Sequence, residues 1–330
     1  MKKYASFMLL VFLFIPVVHS IQINPRVYGK VNKVISHGDF YIVGSEYIVY
    51  LFDQKGNLKN FLPVNGFSDM IVLNDMVVVS SYDQKFPNVV AYSFPQLKKL
   101  WEFEPTMEVF DRNLVWQQVE TKTWRLKSFD GDIGVCSGHS FYLLDKDGKV
   151  ISKFTANNDV WDVVKKGDKY YLASQDGNVY VLDATLNLVD KLKIVEDFEL
   201  IDPVTNATQG IFTRSVWQVL PYKDGVIAVA EDGNVYFIKD NRIEWSVNIE
   251  TYTESMLYPY YKEIERETGI MDRNFKNVKA LVTGDSILAY TKDKIVMIKD
   301  GEVSWRATMN YFSGRNVCVH NNYVYVPLSP

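Results

Sequence analysis

Three observations predict an all-β chain folded as a β-propeller of about seven four-stranded blades. One phrase, a polar turn, an apolar strand and a second turn, returns five times: YIVYLFDQKGNLKNF (47–61), SFYLLDKDGKVISKF (140–154), DGNVYVLDATLNLVDKLKI (176–194), DGNVYFIKDNRIEWSVNI (232–249) and DKIVMIKDGEVSWRATM (293–309). Self-similarity over tens of residues marks a repeat architecture. Aromatic residues make up 14% of the chain, and flat or β-branched side chains suit a pleated surface. Each repeat also holds four short alternating runs, and four antiparallel strands in about 40 residues make one blade.

Residues 1–20 stand apart from the repeats. Lys2 and Lys3 precede an apolar run over 7–18, and Val18-His19-Ser20 offers small residues at the −3 and −1 positions of a cleavage site. This pattern predicts a secretory signal peptide. The run falls short of the roughly 20 residues that span a bilayer comfortably; an uncleaved anchor is the alternative. No second long apolar run follows. The mature protein is therefore expected to be secreted or extracytoplasmic (periplasm, cell surface or endoplasmic-reticulum lumen, according to the organism), with no transmembrane segment after cleavage.

The copy at 157–194 is the template for the rest, a single propeller domain over 21–330. VWDVVKKG, DKYYLASQ, NVYVLDA and LVDKLKI are its four strands, turned at Lys166-Gly167, Asp176-Gly177 and Thr185-Leu186-Asn187. Asp-Gly between alternating apolar runs is a strong hairpin signal. The same spacing gives blades at 27–64, 65–104, 121–156, 157–194, 214–250 and 277–309. The tail GRNVCVHNNYVYVPLSP supplies the first two strands of a seventh. One such sheet cannot bury both faces, so blades stack around an axis, and closure protects the edges. Residues 21–31 could return the strand that completes the last blade; otherwise the natural chain is longer.

Three segments break the period. Residues 105–120 contain VFDRNLVWQQVE, an extra hairpin with Trp116. Residues 195–213 read as a polar loop, and 251–276 as an insertion with a short helix, KEIERE, stopped by Gly269. Insertions between repeats map to loops on one face and often bind partners. Tyr252, Tyr258, Tyr260 and Tyr261, with Trp116, are the candidate contact residues, because aromatic side chains are enriched in interfaces. The alternative is that the tyrosines only pack the inserted helix against its neighbouring blade. Asn206-Ala207-Thr208 is a glycosylation sequon that matters only in an organism that modifies it.

The 36 basic and 40 acidic residues give a formal charge of −4 with no basic stripe, which argues against nucleic acid as a partner. Cys136 and Cys318 could be small buried residues in equivalent strands, a disulfide, or, with His139 and His320, parts of a zinc site. Neither a glycine-rich phosphate loop nor a Gly-x-Ser-x-Gly elbow occurs, and three histidines outside the signal are too few to assign a general base.

GNVYVLDATLNLVDKLKI and GNVYFIKDNRIEWSVNI are similar to the repeat of quinoprotein-type (PQQ-like) propellers. Trp101, Trp245 and Trp305 stand where that family carries its docking tryptophan on the outer strand. The likeness covers most of the chain after Ile21 but is loose: Asp-Ala occurs once, at Asp183-Ala184, and the Thr-Gly turn is replaced throughout. Enzymes of that family oxidise alcohols or sugars with a calcium-bound quinone, often under a vicinal disulfide. This chain has distant cysteines and no recognisable calcium cluster. The resemblance thus implies a non-catalytic member without cofactor or metal, a scaffold binding a protein or cell-envelope component through loops. The competing expectation is a quinone-dependent dehydrogenase or polysaccharide-active enzyme working in the central channel.

Overall fold

The computed structural model describes residues 27–83, 88–110, 116–201, 205, 207–250, 278–291, 294–308, 318–320 and 323–325. The chain is an all-β propeller. Six four-stranded sheets occupy 31–63, 67–103, 123–155, 160–193, 216–248 and 279–308, each with its strands side by side in chain order. A hairpin of Cys318–His320 and Tyr323–Tyr325 follows as a separate two-stranded sheet. Among the described residues there is no helix; the one expected within 251–276 lies outside them.

Turn chemistry explains why each repeat folds into four strands. First and second strands are joined by two residues, the first at positive φ: Gly38 (54°), Asn74 (47°), Asp130 (53°), Gly167 (62°), Lys223 (46°) and Gly284 (59°). That backbone twist matches the twist of the strands it joins. The turn after the third strand is longer and is organised by its leading aspartate. Asp53, Asp145 and Asp183 each accept the backbone N–H groups two and four residues on, at 2.8–2.9 Å. Asp176-Gly177 and Asp232-Gly233 sit elsewhere, between second and third strands.

These turns have a measurable signature. The Asn187 N–H, the Thr185 hydroxyl and the Asn187 amide hold the Asp183 carboxyl at a pKa of about 2, below the usual value of about 3.9. Any stability it contributes is present above the ordinary carboxylate range and is lost as pH falls through about 2. A carboxyl titration by NMR should place its midpoint there; a midpoint at the ordinary value would contradict the turn.

Burial is greatest in the middle strands. Met76–Ser81 and Asn178–Leu182 are buried at every residue, whereas the outer strand Val150–Thr155 alternates exposed and half-buried positions. The reason is packing on both faces. One apolar cluster joins Val164, Val179 and Val181 of the fourth blade to Val219, Val226 and Ala228 of the fifth, and comparable clusters fill the other four junctions. Both end faces of the row are buried too, at Val43, Tyr50 and Phe52 on the first blade and Leu288, Tyr290 and Ile295 on the sixth. A closed ring requires this.

A second, outer contact repeats at the perimeter. Asn60 donates to the Gln96 carbonyl at 3.0 Å, Trp101 to that of Lys146 at 2.8 Å and Ser152 to that of Thr185 at 2.9 Å. In each case an outer-strand side chain grips the last turn of the next blade. Trp101 also lies on Gly148, where a Cβ would come within 2.6 Å of the indole, and Trp245 lies over Gly301. These two tryptophans therefore dock blade to blade, while Trp305 is half exposed. Trp101→Phe keeps most of the ring contact but removes the hydrogen bond. A loss of about 1 kcal/mol is expected in denaturant unfolding, and an unchanged midpoint would show the bond to be idle.

Candidate functional site

Antiparallel strands in chain order fix what each rim carries. The crossings from fourth strand to next first strand share one rim with the turns between second and third strands; the remaining turns occupy the other. Hairpin Thr106–Phe110 with Trp116–Glu120 lies between the second and third blades, and Phe198–Ile201 with Thr208–Phe212 between the fourth and fifth. Residues 251–277 link the fifth blade to the sixth. All three insertions thus leave from one rim. The segment 195–213, expected to be a polar loop, carries a paired hairpin because FELI and TQGIF are each long enough to form a short ladder.

Of the residues singled out from sequence, Tyr252, Tyr258, Tyr260, Tyr261 and Asn206 lie outside the described residues. Trp116 opens the second strand of the first hairpin, opposite Phe110; its side chain is also outside the description. Cys136 is a free, buried thiol facing Phe141 across its ladder. Burial and then the nearby Asp162 carboxylate push its pKa well above the usual thiol range, so it is an inert packing group. Cys318 pairs through its backbone with Tyr325, its side chain being outside the description. Among the described residues no group of three or more His, Cys, Asp or Glu is placed to hold a metal ion.

The chemistry the structure brings together lies on the first, axial strands: Val31–His37, Phe67–Leu73, Thr123–Phe129, Val160–Lys166, Val216–Tyr222 and Lys279–Thr283. Five of the six carry a bulge at the second residue, namely Asn32, Ser68, Trp124, Trp161 and Trp217. The third residue then reaches along the axis to a neighbouring blade. Asp69 accepts Lys33 Nζ at 2.6 Å and the Leu126 N–H at 3.0 Å. Asp162 accepts the Val219 N–H at 3.3 Å and faces Arg125 Nε at 3.5 Å and Lys127 Nζ at 3.2 Å. Gln218 exchanges two hydrogen bonds with the Ala280 backbone, at 3.0 and 3.1 Å.

Asp69 and Asp162 are 2% and 1% exposed, whereas Lys33, Arg125 and Lys127 keep about a third of their surface in contact with solvent. Burial disfavours the Arg125 charge, but Asp162 and then Asp69 outweigh it and raise the guanidinium pKa. The carboxylates of the belt are thus committed to neighbouring blades.

Beside the belt, the bulge tryptophans form an arc. Ring centroids are 4.9 Å apart for Trp124 and Trp161, and 4.8 Å for Trp161 and Trp217, tilted at 44° and 48°. All three rings are half-buried, yet each indole Nε1 is shielded and has no hydrogen-bond acceptor among the described residues. An unmet buried donor costs about 1–3 kcal/mol. Because the bulge is at the start of each first strand, the arc sits at the channel mouth on the insertion-bearing rim. Sequence reasoning built on third and fourth strands passes over these residues. Their signal is in the first strands, TWRL, VWDV and VWQV.

The fold and this site define a β-propeller with one elaborated rim. No protein-family model matches the chain, and no curated protein matches its sequence. Solved propellers do match it in shape. Sqt1 of Saccharomyces cerevisiae shares 10% identity over 88% of this chain and 79% of its own, with a TM-score of 0.58. BamB of Moraxella catarrhalis shares 12% over 89% and 92%, at 0.50. BBS1N, crystallised in complex with ARL6DN, shares 8% over 91% and 89%, at 0.57.

Proposed function

We propose that this chain is an exported, non-catalytic member of the PQQ-like propellers that docks a protein or cell-envelope component on its insertion-bearing rim. The observation that carries the reading is the gathering of three insertions and the tryptophan arc at one rim, while among the described residues the opposite rim has only short turns. Loops set on a rigid frame are where binding concentrates. The arrangement of Asp69 and Asp162 also favours a scaffold, since both carboxylates tie blades together. The likeness to BBS1N, itself solved with a partner protein, agrees with this role but is a likeness of fold.

The test is a photo-crosslinking amino acid placed at Trp116 on the elaborated rim and, separately, at Asp39 on the other. Adducts from position 116 alone, reduced when Tyr252, Tyr258, Tyr260 and Tyr261 are all replaced by Ala, support the reading. Equal adducts from both rims, or adducts only at 39, overturn it. Sequencing the mature N-terminus tests export, which requires a start at Ile21. Calorimetry with the quinone and calcium tests the enzymatic alternative, for which measurable heat would count.

A further inference from the structure

We propose that Tyr28, Tyr47 and Tyr82, exposed around the Glu46 carboxylate on the insertion-bearing rim, hold an arginine or lysine side chain from a basic segment of the docking partner. This rests on the docking role above and specifies the chemistry of the partner.

Three observations carry it, of which the first is placement. Tyr28 precedes the first strand of the first blade, Tyr47 lies in that blade's turn between second and third strands, and Tyr82 follows the second strand of the second blade. All three therefore belong to the rim that bears the insertions. Glu46 ties these segments together, donating its N–H to the Lys30 carbonyl at 3.0 Å and accepting the Phe67 N–H at 3.1 Å.

Second, the rings are seated and yet face solvent. Tyr28, Tyr47 and Tyr82 are 68%, 41% and 41% exposed. The Tyr28 and Tyr47 ring centroids are 5.9 Å apart, tilted at 47°. Tyr47 lies against Gly29 and Tyr82 against Gly66, where a Cβ would come within 3.0 and 3.1 Å of the rings. The Tyr28 N–H is fixed by the Tyr50 hydroxyl at 2.8 Å.

Third, charge decides the occupant. Glu46 is half-buried, and among the described residues no cation pairs with it. Its carboxylate, then burial, push the Tyr47 hydroxyl above its usual pKa, and Tyr28 and Tyr82 add to the rise, so the four side chains share one patch. The nearby described charges, Lys30 and Asp83, are of opposite sign and both already engaged. An apolar occupant would strip the remaining water from Glu46 at a cost, and an acidic one would be repelled. A guanidinium or ammonium brings donors to the carboxylate and positive charge to the phenol faces.

The probes are capped six-residue peptides of arginine, glutamine, proline and glutamate, followed by calorimetry and by NMR of isotope-labelled tyrosine rings on the full chain. The arginine peptide is expected to bind, to weaken with added salt, and to lose about fivefold in affinity in Tyr47→Leu. Tyr47→Phe keeps the aromatic face and should keep the affinity, whereas Glu46→Gln should lose about threefold. Thermal melts confirm that each variant is folded, and Tyr28→Leu replaces Tyr47→Leu if that one is not. Equal or tighter binding of another peptide, no binding of any probe, or full affinity in the leucine and Glu46→Gln variants would overturn the proposal. So would binding seen only after Arg26→Ala and Lys85→Ala, since one of the chain's own cations would then fill the site. Crosslinks from position 116 that persist when the arginine peptide fails would sink this site and leave the docking role standing; their loss would remove both.

Discussion

Gly177→Ala is expected to destabilise the protein by about 4 kcal/mol. Gly177 has φ of +74°, and a Cβ there would lie 2.6 Å from the Val195 carbonyl oxygen and 2.8 Å from that of Arg214. Both obstacles are backbone, so neither can swing aside. The Gly177 carbonyl also accepts the Ile194 and Val195 N–H groups at 2.9 and 3.1 Å. Any shift that relieves the clash breaks the bonds that bring the chain from the fourth blade into the fifth. Gly167→Ala supplies the control. Its φ is +62° but nothing lies within 4 Å of the new methyl, so only the left-handed strain of about 1–2 kcal/mol applies. Chemical denaturation of both variants separates crowding from strain, and equal losses would show that the junction yields.

Asp69→Ala is expected to cost about 3 kcal/mol. The substitution strips an acceptor from the buried Leu126 N–H and leaves Lys33 and Arg125 without their shared carboxylate. Both cations are partly solvated, which keeps the loss below that of a fully buried pair. Asp69→Asn retains an oxygen for the Leu126 N–H and should lose about half as much. If Ala and Asn melt alike, the bond to Leu126 contributes nothing, and the carboxylate acts by charge alone.

Much of this architecture was legible in the sequence because its determinants are local. An aspartate at the end of a third strand organises its own turn through bonds two and four residues away, so the phrase recurs as plainly in letters as in space. The middle strands announce themselves as unbroken apolar runs. What remained hidden depends on ring geometry. Asp69 and Arg125 are 56 positions apart and meet only because two first strands stand beside one axis. Trp124, Trp161 and Trp217 look like scattered aromatics until the first strands are aligned. FELI and TQGIF were masked by the Pro and polar residues between them, although each holds enough alternation for a short ladder. The tyrosine-rich stretch at 251–276 was found by its break in period, and that signal says where a segment leaves the ring but not what it contacts.

Among the described residues, the hydrogen bond made by Asn60, Trp101 and Ser152 has no counterpart between the fourth and fifth blades. The matching outer-strand residue of the fourth blade is Asp190, paired across its ladder with Val181. A carboxylate cannot donate, and its oxygen instead accepts the N–H of its own neighbour Lys191 at 2.8 Å. The seam between fourth and fifth blades is thus held by its apolar cluster, the Gly177 carbonyl and the tilted indoles, without the outer hydrogen bond of the three earlier seams. With no outer bond to hold its edge, this seam should exchange deuterons at its perimeter sooner than the three seams that have one.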